Sequence, residues 1–544
     1  NHELYGDYIM AGYIGGKAVN LSTSGADISG TANLDDVDID GNLDVNGGTI
    51  KLDGNYPVGT GNVALGDTAL DSNVSGAQNT AIGSSALTAN TADDNTAVGW
   101  SAMSANTAGS LNAAVGRSAL AANTTGGSNT ALGYAPLSNN TSGGSNVAIG
   151  RQALLSNTTA SNNTAVGYQA GYSNTTGTRN IAIGNQAVYG NSTASYNIGI
   201  GHRTLYANTT GDENVAIGDN AMLLNTTGQD NTVVGTSALS ANTTGRNNVA
   251  LGLSALLSNT TASNNTAVGY TAGYSNTTGA QNTFIGRQAS YTNTTGLYNS
   301  SFGNDAMFYN TTGGYNTALG AAALNNNTTA SNNVAVGYQA GYTNTTGSSN
   351  VSVGVQAVYT NTTGGSLSAV GVGALYANTT GSNNVAMGTS SLVSNTTGAS
   401  NTGLGRDALR VNTTASANTA AGFRAGHAVT TGANNTFVGA YCGGATDDGA
   451  QNTAVGMTAL NAGNCGNSNT AIGCGALEAC TGGNNTALGL DAGTNVTSGG
   501  NNTFIGLNAG VTGNPGGNFT TGSNALVIGN VGTSAAHVQV DWTV

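Results

Sequence analysis

One glycine recurs at a fixed interval through most of this 544-residue chain. It closes the pentapeptide Asn163-Thr-Ala-Val-Gly167, and its equivalents run from Gly66 to Gly506. There are 27 of them, 17 residues apart except for two steps of 16, Gly83 to Gly99 and Gly473 to Gly489. So strict a period means stacked copies of one small unit, each touching only its neighbours, not a string of globular domains. With the glycine as position zero, −4 is Asn, −3 Thr or Val, −2 Ala and −1 Val, Ile or Leu. Positions +3 and +4 are usually Ala-Leu, and +7 to +10 read Asn-Thr-Thr-Gly. Gly and Asn recur too often for a helix. Two short strands per unit fit, at −3 to −1 and +2 to +6, with Gly and Asn-Thr-Thr-Gly as corners and Asn free to bond local backbone or to stack as ladders. The expected fold is all-β: a parallel β-solenoid or β-roll of about 27 coils with two short strands each. At ~4.8 Å between adjacent strands the rod would be roughly 130 Å long.

The expected core is thin: the branched aliphatic at −1, Leu or Met at +4, and Ala at +3, as in Ala153 and Leu154, with Leu155 beside them. In a strand −2 then points away from −1, and a solvent face has no need of an alanine column. The expectation is that this small-residue face is covered by a sister chain, because a coil too thin to stand alone gains by oligomerising. Larger blocks are copied as well. The stretch Asn157-Thr-Thr-Ala-Ser-Asn-Asn-Thr-Ala-Val-Gly-Tyr168 recurs from Asn259, with a close relative from Asn327, as suits a spacer of variable length.

Both ends differ from the repeat. Residues 1–61 form an expected β-rich connector, in which residues 34–46 alternate apolar and polar around a turn at Gly41-Asn42. Asp36, Asp38, Asp40 and Gly41 match the first half of a calcium-binding loop, but its twelfth position is Gly47 rather than Glu, and strand alternation fits better. Residues 62–510 are the solenoid. Residues 511–544 form an expected cap, in which Ala525-Leu-Val-Ile-Gly529 resembles a last strand and Val538–Val544, with Trp542, alternates as another; an uncovered end strand would invite further pairing.

Composition excludes several classes. Gly accounts for 85 residues and only 6% are charged, which would suit disorder were it not for the regular apolar columns. A net charge of −13 with only Lys17 and Lys51 as lysines argues against nucleic acid or an anionic membrane as partner. No run of about 18 apolar residues exists, so no membrane insertion is expected. The opening Asn1-His-Glu-Leu-Tyr has no basic and apolar leader pattern and no Met, and the expectation is that something upstream is absent from this chain.

The Asn-Thr-Ala-Val-Gly units at Asn163–Gly167 and Asn265–Gly269 resemble the repeats of bacteriophage tail fibres. More loosely they are similar to the Ser-Val-Ala-Ile-Gly head repeats of trimeric autotransporter adhesins, which are left-handed parallel β-rolls in homotrimers. The stretch Ile39–Gly47 looks like the Gly-Asn-Leu-x-Val-x-Gly segments of phage fibre shafts, and Val540-Asp-Trp-Thr-Val544 is similar to the segment before a self-cleaving intramolecular chaperone. That chaperone's Ser-Asp-x-Arg-like opening is absent here. The resemblance implies a homotrimeric, non-enzymatic fibre on a virion tail. Its partners would be itself, upstream virion attachment proteins, and host cell-surface polysaccharide or protein. A bacterial surface adhesin is the alternative; a capsule depolymerase or an ice-binding protein comes third.

Candidate chemistry is sparse, and no cofactor, metal site or catalytic residue is expected. Glu213 and Asp230 occupy +12 of successive coils, near the spacing of a retaining glycosidase pair, but +12 is a polar corner where acids need no explanation. His2, His202, His427 and His537 are scattered. Asn-Thr-Thr rows raise ice binding, although they sit at a corner rather than on a flat sheet. The most suggestive column is +5: Tyr172, Tyr189 and Tyr206; Tyr274 and Tyr291, then Phe308; Tyr342, Tyr359 and Tyr376. Stacked rings beside Asn and Thr suit sugar rings; the competing reading packs them in an interchain seam. Of the four cysteines, Cys442, Cys465, Cys474 and Cys480, the pair Cys465 and Cys480 sits at similar offsets in successive coils, so a cross-coil disulfide is a candidate against free, half-buried thiols.

Overall fold

A computed structural model describes residues 59–511 and 519–530. The expected connector strands, the acidic Asp36–Gly41 loop and the Val538–Val544 strand lie outside the described residues. The described part is a parallel β-solenoid. It contains 28 strands of three residues each, from Val63–Leu65 to Leu526–Ile528. Each strand pairs in parallel with the next in the chain and in the register of the repeat: Thr164 lies beside Ile181, Ala165 beside Ala182 and Val166 beside Ile183. The strand expected at the carboxyl end is Leu526–Ile528, which pairs with Thr503–Ile505.

Only one strand per coil forms, where two were expected. The stretch +2 to +6 is instead two successive tight turns. In the coil after Gly150, Ala153 N–H donates to the Gly150 carbonyl at 3.4 Å, and Asn157 N–H to the Leu154 carbonyl at 3.1 Å. Gln152 and Leu154 hold φ of 58° and 49°, the left-handed region that side-chain-bearing residues rarely enter. Alternating conformation still lets the backbone pair along the axis. Gln152 N–H reaches back to Tyr134 O at 2.8 Å, while Leu154 N–H reaches forward to Ala170 O at 2.9 Å.

The facing of the strand is the reverse of the expectation. Alanine at −2 points into its own coil and is fully buried, as at Ala165, Ala182 and Ala216. It meets Ala at +3 and Leu or Met at +4, also buried. The aliphatics at −1 face outward: Val234 is 40% and Leu319 50% exposed. The alanine column is therefore not an interchain surface. The interior is narrow because two asparagines per coil also point into it, leaving room for a methyl group opposite the leucine. Where a phenylalanine stands at −2, +4 shrinks to compensate. Phe437 lies between Gly426 and Gly443, and a Cβ on either glycine would come within 2.9 Å or 2.4 Å of its ring. Total core volume is kept, as close packing demands. The marker glycine has its own reason: at Gly167 φ is 137°, and a Cβ there would stand 2.4 Å from the Gly184 carbonyl oxygen of the next coil.

Both asparagine columns form ladders through the interior. At +7, Asn225 Nδ2 donates to Asn208 Oδ1 at 2.8 Å and to Gly228 O at 3.0 Å, and its own Oδ1 accepts from Asn242 Nδ2 at 2.8 Å. At −4, Asn163 N–H donates to Asn146 Oδ1 at 2.9 Å and its Nδ2 to Gly177 O at 2.9 Å. The second column is interrupted at Leu367, whose N–H still donates to Asn350 Oδ1 at 2.9 Å. The first ends at Asn412, whose Oδ1 has no donor because Val429 follows in place of an amide. Replacing Val429→Asn should complete that pair and raise stability by about 0.5–1.5 kcal/mol, the net worth of one hydrogen bond. Denaturant melts of the variant and parent check it; an unchanged or lower midpoint contradicts it.

Candidate functional site

Position +5 follows directly on the buried leucine of the second turn, so its side chain leaves the core and lies half-buried on the outer surface. Consecutive coils then place like side chains in a file. Tyr172 and Tyr189 stack with ring centroids 5.0 Å apart and planes 7° from parallel, and Tyr189 and Tyr206 at 5.0 Å and 10°. Tyr274, Tyr291 and Phe308 form a second file at 5.0 and 5.1 Å. Tyr342, Tyr359 and Tyr376 form a third at 5.2 and 5.0 Å. All the predicted tyrosines are thus assembled into ladders. The stacking has a consequence for sugar contact. A middle ring spends both faces on its neighbours, so an open face exists only at the end of a file.

The files do not end alike. Leu223 and Val393 continue the column after Tyr206 and Tyr376, and Leu155 and Leu257 precede Tyr172 and Tyr274. Between Phe308 and Tyr342 the column holds Asn325, which is 7% exposed and turned inward, its Nδ2 donating to the Asp305 carbonyl at 2.9 Å. A groove of about 340 Å³ opens there, lined by Arg287, Gln288, Asp305, Phe308, Asn325 and Tyr342 together with Tyr309. Tyr309 stands edge-on to Phe308 with centroids 4.7 Å apart, and it also borders a second groove of about 450 Å³ among Thr292, Thr311 and Thr328.

The sequence reading missed two other surface arrangements. Position +1 runs Trp100, Arg117, Tyr134, Arg151, Tyr168, and the guanidinium of Arg117 sits 4.8 Å from the Trp100 ring and 5.8 Å from that of Tyr134. Arg151 is 5.8 Å from both Tyr134 and Tyr168, giving a cation–π file beside the strand face. Alternation at a spacing of 17 was the signal that could have revealed it. Farther along, Asp407 is ringed by the Nε atoms of Arg406, Arg410 and Arg424 at 3.5, 3.6 and 3.7 Å.

The remaining candidates are not brought into a reaction centre. Glu213 and Asp230 stand exposed at successive corners, with φ of 57° and 58°. The threonines at +8 use their hydroxyls within the fold: Thr175 Oγ1 donates to Ser192 O at 2.8 Å. His202 meets Asp219 at 2.8 Å. Among the described residues no group of three or more His, Cys, Asp or Glu is placed to hold a metal ion. Nor is any helix there long and apolar enough to cross a membrane.

The cysteines are thiols. Cys480 replaces the ladder asparagine at +7, and Cys465, in the coil before, donates from Sγ to the Cys480 carbonyl at 3.0 Å. Both are buried, and a hydrogen bond to the Cys480 thiol together with burial pushes the Cys465 thiol up. Burial pushes Cys442 up to about 12. For Cys442 and Cys465 these are inert settings, since the thiolate is the reactive form, whereas the hydrogen bond from Cys465 holds the Cys480 thiol below its ordinary value.

No protein family matches this chain, and no curated protein does. What the structure itself defines is a repeat protein of the parallel β-solenoid class.

The middle rings of two ladders carry an electrostatic mark. Burial first, then the flanking Tyr172 and Tyr206, raises the Tyr189 phenol above its ordinary 10.0. Burial, then Tyr376 and Tyr342, does the same to Tyr359. A folded-state pKa raised for an acid means that the ladder's contribution is full below about pH 10 and is lost as pH rises through the raised value. Absorbance titration at alkaline pH should show late-ionising tyrosines that Tyr189→Phe and Tyr359→Phe each reduce. A single wave at the ordinary tyrosine value would contradict the ladder geometry.

Proposed function

We propose that this chain is a structural and adhesive fibre, of the kind borne by a phage tail or a phage-like appendage, that projects from a particle and contacts host surface glycans. One observation carries the reading: the outward strand face is an uncharged stripe along the solenoid, aliphatic at −1 and mostly Thr at −3. At −3 and −1 every coil presents only Thr, Ser, Ala, Val, Ile, Leu, Met or Phe, with no charge in either column. Two outward side chains span about 7 Å of strand, and 27 rungs run roughly 130 Å, so the uncharged stripe covers on the order of 900 Å², about half of it the aliphatic −1 column. The stripe as a whole matches the ~800 Å² that each partner gives to a stable interface, and its aliphatic part is as large as the functional apolar patches of about 300–600 Å² on monomers. A second copy is the fitting cover, because only the same repeat keeps the same spacing rung by rung. Resemblance to the trimeric repeats sets the expected number at three.

The aromatic files lie on a different part of the surface, at +5, and remain open in such an assembly to meet sugars. Virion attachment would then fall to segments upstream of the solenoid. A bacterial surface adhesin uses the same rod and the same face, and differs in what holds its ends. The exposed corners at Glu213 and Asp230 offer no cleft to favour a depolymerase. The occupied hydroxyls at +8 take those threonine rows away from ice.

Native mass spectrometry tests the self-association. Three chains per particle are expected, and Ile217→Lys, Val234→Lys and Leu251→Lys together, on three successive rungs of the stripe, should loosen or split the assembly while circular dichroism stays β-rich. A monomeric parent at micromolar concentration would overturn the reading.

A further inference from the structure

We infer that the break in the aromatic file at Asn325 is a carbohydrate-binding notch for one neutral hexopyranose ring; the inference deepens the glycan-adhesion reading and rests on it. Asn325 is the only non-aromatic residue at +5 between Tyr274 and Tyr376. Its side chain is withdrawn to the Asp305 carbonyl, so the column has a gap one side chain deep. Phe308 and Tyr342 stand two coils apart across it, or about 10 Å at the strand spacing of ~4.8 Å. Two van der Waals contacts of about 3.5–4.0 Å leave room for one ring-thick ligand between them. The C–H faces of a pyranose are apolar and its rim is hydroxylated, which matches aromatic walls above and below with polar groups at the floor.

The floor supplies a carboxylate. Asp305 Oδ1 is buried and has no hydrogen-bond donor. Its nearest cation, Arg287 Nη1, is 3.9 Å away and donates instead to Asn304 Oδ1 at 3.3 Å. The other oxygen, Oδ2, accepts from Asn304 Nδ2 at 2.7 Å. Oδ1 is closed even to a water-sized donor, so a sugar hydroxyl meets Asp305 from the partly exposed side of its carboxylate, where the residue lines the groove. A carboxylate acceptor selects a hydroxylated neutral sugar over an acidic one. Tyr309, edge-on to Phe308, closes one side of the groove, and Arg287 and Gln288 line its rim.

Two variants separate the notch from the fold. Asp305→Asn keeps shape and removes the carboxylate. Asn325→Tyr fills the notch with the residue that the column carries at Tyr291 and Tyr359, on a backbone that accepts it there. The parent and both variants are applied to an immobilised panel of bacterial polysaccharides, and saturation-transfer NMR is run with methyl α-D-mannopyranoside, methyl α-D-glucopyranoside and methyl β-D-galactopyranoside. Expected are parent binding to at least one polysaccharide, saturation transfer to at least one glycoside, and at least tenfold weaker binding by each variant with unchanged thermal melts. Parent binding that both variants retain would overturn the notch and leave the adhesion reading standing. Failure of the parent to bind any polysaccharide would remove the adhesion reading and the notch with it.

Discussion

The interaction on which the structure depends is the amide ladder. An Asn side chain carries a carbonyl and an NH₂ on one plane, so copies stacked at the strand spacing can each donate to the next without limit. In this chain that chemistry runs through the interior in two columns. Asn225 and its neighbours use one amide N–H along the column and the other on a corner carbonyl, here Gly228 O, which also accepts from Asn214 at 2.9 Å. The corners of a coil leave backbone carbonyls pointing inward, away from any sheet ladder. Buried, they need donors, and the asparagines provide them. The ladder is therefore what allows the chain to turn so sharply every few residues and still stack.

From that requirement the rest of the coil follows. Two amides and one leucine nearly fill the cross-section, so the strand can spare only Ala at −2, and its Val or Ile at −1 goes outside. The usual sorting of side chains is partly reversed, with amides inside and branched aliphatics in contact with solvent. The same crowding explains the paired changes of Phe437 with Gly426 and Gly443, and the left-handed backbone at Gln152 and Leu154, which packs two turns into the space one strand would span. An uncovered row of Val and Ile is in turn what supports the proposed pairing with a sister chain.

Much of the fold was legible because a period of 17 leaves few alternatives. The strand at Thr164–Val166, the corner glycines, the buried Leu154 and the last strand near Ala525 all follow from it. What was not legible turns on facing and on φ. Strand alternation says that Ala165 and Val166 point opposite ways, but only the cross-section says which is inside, and the larger hydrophobe was the wrong choice because the Asn ladders had already claimed the space. The Gln152–Leu154 segment looked extended, since nothing in Gln or Leu signals a positive φ; only repetition at the same offset imposes it. The tyrosine files were readable from their spacing alone. The proposed notch at Asn325 was not, because a gap in a column carries meaning only once the withdrawn side chain and the groove beside Asp305 are seen.

Function then divides by face. Alanine and asparagine columns hold the coil, while the aliphatic row is proposed for assembly and the aromatic files, with the gap at Asn325, for recognition. All three stand on the coil being built around its amides. Denaturant unfolding of Asn225→Val measures this most directly, since Val429 and Val496 show that valine fits the same column. The account predicts a loss of about 1–3 kcal/mol, the cost of leaving the Asn208 and Asn242 amides half-partnered in the interior. Stability equal to the parent's would mean that packing alone holds the coil and that the ladder is incidental.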